Sequence, residues 1–145
     1  MSLATIAARH ASGLLRLTGI LLVVLGVVHL VATPFFMGWA SAELRPENAA
    51  LVAAGMRLNH LLVGVLLFPL GLSTFWSARS LNEAWAFRQS LVNAIATLSM
   101  PVLLVMTMPR ESLRAVPFLV AIVVLFLACT AQLLALVGFR ASRRR

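Results

Sequence analysis

The sequence predicts an all-α integral membrane protein: an antiparallel four-helix bundle with both termini in the cytoplasm. Three observations carry that prediction. Of the 145 residues, 61% are hydrophobic and 11% charged, against about 45–50% and about 25% in an average soluble domain. Mean hydropathy is +1.00, which would leave a soluble chain of this length with an apolar surface. The uncharged residues also fall in blocks: 26 between Arg16 and Glu43, 21 between Arg57 and Arg79, 21 between Arg88 and Arg110, and 25 between Arg114 and Arg140. A helix of about 20 apolar residues crosses the hydrocarbon, so four blocks predict four spans in one membrane domain.

Residues 2–13 are rich in Ala and Ser and carry Arg9 and His10. They read as an interfacial turn or short helix. The first span is expected over about 14–36, with Pro34 close to its end. Arg9 and Arg16 before this run and Ala40-Ser41-Ala42 after it imitate a secretory signal. The run is longer than the ~7–15 residues of a signal core, so it reads as a retained span. A loop over 38–45 follows, with Trp39 as an interface anchor.

Pro46-Glu47-Asn48 is a helix start signal, yet the next uncharged stretch opens only at Leu58. A helix from Glu47 to Ser77 would be ~45 Å long, which exceeds a ~30 Å core. Either its first turns stand outside the bilayer or Arg57 lies at membrane depth. The second span is therefore drawn at about 50–77, with a kink expected at Pro69. A connection over 78–88 carries Arg79, Glu83 and Arg88, with Trp76 and Trp85 as interface anchors. The third span is expected over about 88–108 and contains Pro101. A tight turn at Pro109-Arg110-Glu111-Ser112 leads to the fourth, about 116–139.

Net charge is +8, from twelve Arg and no Lys against four Glu and no Asp. In a soluble chain that balance would point to nucleic acid. Here the arginines stand at the ends of spans, so the expected partner is anionic lipid headgroup, met above all by Arg140, Arg143, Arg144 and Arg145. With four spans, the termini and the middle connection share eight arginines, and the opposite side holds Arg45, Arg57, Arg110 and Arg114. That asymmetry places both termini in the cytoplasm. Arg without Lys, beside abundant Ala, Leu and Val, matches a GC-rich bacterial genome and hence a bacterial inner membrane. The single Cys129 excludes an intramolecular disulfide and a thiolate metal cage.

Polar side chains in hydrocarbon are costly and therefore informative. Asn93 in the third span and Gln132 in the fourth fall at matching depths, which predicts an interhelical amide hydrogen bond. Toward the other side lie His29, Arg57, Asn59 and His60. Gly19, Gly26, His29 and Thr33 form one stripe of the first helix, and Arg57, His60, Gly64, Gly71 and Thr74 one stripe of the second. Small residues let membrane helices approach closely, so both histidines are expected to face protein, and each other.

The bland reading of that layer is a hydrogen bond across the helix interface. The functional readings use His29, His60, Arg57 and Asn59 as a cofactor site. Two imidazoles from two helices can be axial ligands of haem b, with Arg57 on a propionate. They can hold copper or zinc if Met37 or Met56 adds a thioether. Or they can meet the polar head of a quinone or lipid. Shared ligation needs the two rings at one depth, which holds only if the second helix enters the bilayer near Leu51. Arg57 would then be buried, within reach of Glu43 or Glu47.

Arg57-x-Asn59 at the start of a second span is similar to a motif of the membrane-associated eicosanoid and glutathione metabolism family. Leu62 stands where that family's pattern continues with Glu, so the resemblance implies no glutathione site here. There is no paired carboxylate, no G-x-S-x-G and no HExxH, which argues against hydrolytic catalysis. Two function classes lead: a non-catalytic accessory or assembly subunit packed in a larger membrane complex or homo-oligomer, and an intramembrane cofactor- or lipid-binding protein; a transporter or channel comes third, since alternate access in so small a chain would require an oligomer.

Overall fold

Helix lets an apolar chain satisfy its own backbone in hydrocarbon, and the computed structural model, described over residues 3–42, 49–107 and 116–142, is helical there except at Leu81-Asn82-Glu83. The elements are α1 (Leu3–Ala42), α2 (Ala49–Ser77), a 3-10 turn (Ala78–Ser80), α3 (Ala84–Thr107) and α4 (Val116–Ser142). Each α-helix contains a stretch long and apolar enough to cross a membrane: His10–Gly38, Val52–Ser80 (which takes in the 3-10 turn), Ala84–Met106 and Leu119–Ala141. The chain is a helical integral membrane protein.

Three boundaries differ from the sequence reading. Residues 3–13 continue α1 without a break, because they are mostly Ala and other tolerable helix formers. The expected loop at 38 is helix as far as Ala42. The connection over 78–88 shortens to a 3-10 turn and Leu81-Asn82-Glu83, since α3 already begins at Ala84. There the carbonyl of Glu83 accepts the amide of Phe87 at 3.2 Å, and the acid sits favourably at the positive end of the helix dipole. Pro34, Pro69 and Pro101 all lie within helices. Trp76 and Trp85 are exposed, as interface anchors would be. The start signal at Pro46-Glu47-Asn48, Arg45, the turn at 109–112, Arg114 and the terminal Arg143, Arg144 and Arg145 lie outside the described residues, as do the side chains of Arg9 and Trp39.

The chain packs as two compact units. The first is made of Met1–Gly19 and Ser73–Arg145. Its core is Ala11, Leu15, Ala78, Leu81, Ala94, Ala135 and Leu136, flanked by Leu14, Phe87 and Phe139. The small residues bring helices close, and polar bonds tie them. Ser12 Oγ donates to the Ala78 carbonyl at 2.7 Å, and the hydroxyls of Ser77 and Ser90 meet at 2.8 Å.

Asn93 is the hub of this unit. Its Nδ2 donates to Ser73 Oγ and Thr74 Oγ1, both at 3.1 Å, and its Oδ1 accepts from Gln89 Nε2 at 3.0 Å. The expected direct bond to Gln132 is not formed, because Asn93 turns its amide toward α2 and its own helix. The two residues connect through Thr97, which donates to the Asn93 carbonyl at 2.8 Å and receives Gln132 Nε2 at 3.4 Å. Gln132 Oε1 is the one buried side-chain nitrogen or oxygen among the described residues without a partner. Asn93→Leu therefore removes three side-chain bonds and should lower the unfolding free energy in detergent by about 1–2 kcal/mol. Gln132→Met removes one long bond and an orphaned acceptor, and should be close to neutral. Equal losses for the two variants would refute this ranking.

The second unit, Ile20–Leu72, is contiguous and consists of the rest of α1 and most of α2. Its closest approach is at Gly26 and Gly64. A Cβ placed on Gly26 would lie 3.0 Å from the Gly64 carbonyl oxygen and 3.0 Å from the Phe68 amide nitrogen. Neither backbone atom can move aside alone. Glycine is required there by the approach of one helix to the other.

Candidate functional site

About one, two and three turns beyond Gly26 on α1, the residues grow larger, and two of the three are polar. His29, Thr33 and Phe36 follow at steps of four and three, which is one face of a helix. Together they make a slot, and His60 of α2 fills it. The His60 ring stacks between two others, with centroids 4.7 Å from His29 (planes at 29°) and 4.8 Å from Phe36 (planes at 12°). Its edge meets Thr33, with Nδ1 2.7 Å from Oγ1.

Satisfying all of these hydrogen bonds at once assigns the protons. A carbonyl can only accept, so His29 Nδ1, 3.0 Å from the Leu25 carbonyl oxygen, carries a proton and donates it. The one hydroxyl proton of Thr33 goes to the His29 carbonyl at 2.7 Å. Thr33 Oγ1 is then free only to accept, so His60 Nδ1 is the donor in its bond. In the neutral rings both Nε2 atoms keep their lone pairs. Held by Nδ1–H to an oxygen, each ring has the support that ligating histidines commonly have.

The two rings also hold similar positions within their apolar stretches. His29 lies five residues past the middle of the His10–Gly38 span, and His60 six residues before the middle of Val52–Ser80. These offsets are ~7.5 Å and ~9 Å along the helices at 1.5 Å per residue. The two rings do converge, as the sequence led us to expect. Arg57 does not follow them. It is exposed, as is Asn59, and it makes no ion pair with any described residue. Burying an unpaired guanidinium beside two imidazoles would cost several kcal/mol, whereas on the outer face near the start of α2 the long Arg side chain can snorkel toward the headgroups. Glu43 and Glu47, its possible partners, lie outside the described residues. Of the expected stripe on α2, His60 and Gly64 meet α1, Thr74 bonds Asn93 of α3 instead, and Arg57 turns outward.

The stack does not fit an iron or a single metal ion held by both rings. Axial ligation, with bonds of ~2 Å and about 1 Å more to each ring centre, needs centroids at least ~6 Å apart. At 4.7 Å they are too close. A metal bound by Nε2 lies in the plane of its ring. Planes at 29°, separated by a stacking distance of about 3.5 Å or more, meet roughly 7 Å from the rings, beyond the reach of a ~2 Å bond. No group of three His, Cys, Asp or Glu able to hold a metal occurs among the described residues. A visible spectrum of the purified protein should accordingly lack a Soret band, and a Soret band that disappears in His60→Ala would show the rings rearranging around haem.

Sequence reasoning singled out Thr33 only as part of a packing stripe and passed over Phe36. The signal was present, because 29, 33 and 36 repeat the spacing of one helix face. Ser73, Thr74, Ser77, Ser90 and Thr97 were likewise legible only once the helices were paired.

No family model, no curated protein and no solved structure matches the chain.

Proposed function

We propose that this is a non-catalytic four-span component of the bacterial inner membrane, acting as an accessory or assembly subunit within a larger membrane complex. The observation that carries this reading is the way the interior polar groups are used. Hydroxyls and amides of the first unit bind one another and fix helix pairing, while between 22% and 33% of each apolar span is buried inside the chain. Large apolar side chains project outward from all four helices, among them Leu17, Val31, Leu66, Ile95, Leu103, Leu127 and Val137. Such faces are matched by lipid or by other helices.

In this reading the helices run antiparallel with both termini cytoplasmic. Contacts of α1 with α2 descend in register, from Gly26 with Phe68 to Thr33 with His60. The connection from Thr107 to Val116 can reach at most ~32 Å, short of the ~36 Å rise of α3. Arg16, Arg79, Arg88 and Arg140 are exposed near the ends assigned to the cytoplasmic side, ready to meet anionic headgroups. C-terminal reporter fusions should be active for a cytoplasmic reporter and silent for a periplasmic one, and the converse pattern reverses the topology. Native mass measurement after mild solubilisation should give a particle heavier than one 15.7 kDa chain with its lipids. A lone chain that keeps its fold overturns the subunit reading.

The second reading is an intramembrane site for a small ligand at His29 and His60. The paired bare Nε2 atoms favour it, because helix packing requires only the Nδ1 bonds.

A further inference from the structure

The two imidazoles are held by the same nitrogen, and this makes the pair selective. Nδ1–H of His29 goes to the Leu25 carbonyl and Nδ1–H of His60 to Thr33 Oγ1. Neither Nε2 has a hydrogen-bond partner among the described residues. Both rings are half-buried, and neither Nε2 is sealed inside the protein, since the buried unpartnered atom is Gln132 Oε1 alone. Two acceptors therefore stand side by side on apolar stretches of α1 and α2, where water competes poorly for them.

What can occupy them follows from donor and acceptor chemistry. A quinone carbonyl, a carboxylate or a phosphate ester brings lone pairs to lone pairs. One metal ion cannot lie in both ring planes. A hydroxyl can donate, and an O–H···N bond in a poorly hydrated site is strong. Phe36, stacked on His60 from the side away from His29, extends the wall of the slot with a flat apolar face.

We propose that the His29–His60 pair binds the hydroxyl of a membrane-dissolved amphiphile, with the ligand O–H donating to Nε2. This rests on the second reading above and names its ligand class. Two sources share that chemistry, the head of a hydroquinone and the free hydroxyl of a glyceride such as diacylglycerol. No bond is made or broken, and the ligand leaves as it came.

The full chain in lipid nanodiscs, with 15N-labelled imidazoles, tests both levels at once. Long-range proton–nitrogen spectra report the tautomer of each His, and His10, exposed and remote in sequence, is the internal control. The probes are decylubiquinol, decylubiquinone and dioctanoylglycerol. Expected is a saturable shift of the His29 and His60 Nε2 resonances with decylubiquinol, dioctanoylglycerol or both, and none with decylubiquinone. Which hydroxyl probe acts identifies the source. Thr33→Val, which frees His60 to exchange its tautomer, should weaken that binding roughly tenfold, the loss of about one good hydrogen bond. If both rings carry Nδ1–H and no hydroxyl probe moves Nε2, the ligand class is wrong and the site reading survives. If the quinone shifts Nε2 as strongly as the quinol, the ligand class is equally wrong. If either ring carries its proton on Nε2 before any probe is added, the site reading itself falls.

Discussion

Replacing Gly26 by leucine will force α1 and α2 apart within the Ile20–Leu72 unit and produce the largest loss of stability of any single change at this interface. Even alanine is unwelcome. Its Cβ would sit 3.0 Å from two backbone atoms, the Gly64 carbonyl oxygen and the Phe68 amide nitrogen, and 3.3 Å from Leu67 Cβ. Relief requires one helix to move, and overpacking of this kind costs about 1–3 kcal/mol for a methyl-sized intrusion and more for a larger one. Gly64→Ala should be milder. Two of its three close neighbours, at 2.9 Å, belong to the side chain of Leu30, which can rotate, although the Gly26 carbonyl at 3.0 Å cannot. Gly13 meets nothing within 4 Å, so Gly13→Ala should be neutral or gain up to about 1 kcal/mol in helix propensity. Unfolding midpoints in mixed detergent micelles would rank the three. A Gly26→Ala protein as stable as Gly13→Ala would mean that the helices do not approach here as described.

His60→Ala should cost about 2–4 kcal/mol, because it empties the middle of a three-ring stack and removes the bond to Thr33. Each aromatic contact contributes ~0.5–1.5 kcal/mol beyond the area it covers, and the hydrogen bond about 1 kcal/mol. His60→Phe keeps the stack and loses only the bond, so its loss should be about 1 kcal/mol, and Thr33 keeps its own acceptor in the His29 carbonyl. Thr33→Val does the reverse and leaves a ring N–H facing a methyl group, at a cost of ~1–3 kcal/mol. Combining Thr33→Val with His60→Phe should cost less than the sum of the two, since the same bond is removed once. Strict additivity would mean that the 2.7 Å contact contributes nothing to the fold.

Much of this architecture was legible because a membrane imposes few solutions. Uncharged blocks between arginines located the four spans within a few residues, and the glycine stripes located the face on which α1 meets α2. The errors share one physical origin. Helix ends are set by capping and packing, which leave weak traces in a single sequence, so α1 overran its expected limits at both ends. Arg57 obeyed the spacing rule for its stripe but not the energetics of an unpaired charge, and the second consideration outweighed the first. Asn93 and Gln132 were recognised as interior amides, yet depth alone could not reveal that hydroxyls of Ser73, Thr74 and Thr97 would intervene. At the histidine pair the residue types and their level could be read. The stacking that excludes a shared metal depends on ring planes, which spacing does not determine.

The division of the chain into units also bears on the order in which the protein can be made. The Ile20–Leu72 unit is contiguous, so its Gly26–Gly64 approach and its His60 slot can close as soon as Leu72 has left the ribosome. The other unit is split in sequence. Ser12 waits for Ala78, and Ala11 and Leu15 wait for Ala135 and Leu136, which emerge last. Until then the first turns of α1 remain without their native neighbours. A stall in translation before residue 135 would thus release a chain with one finished unit and one exposed seam, a natural substrate for membrane quality-control proteases.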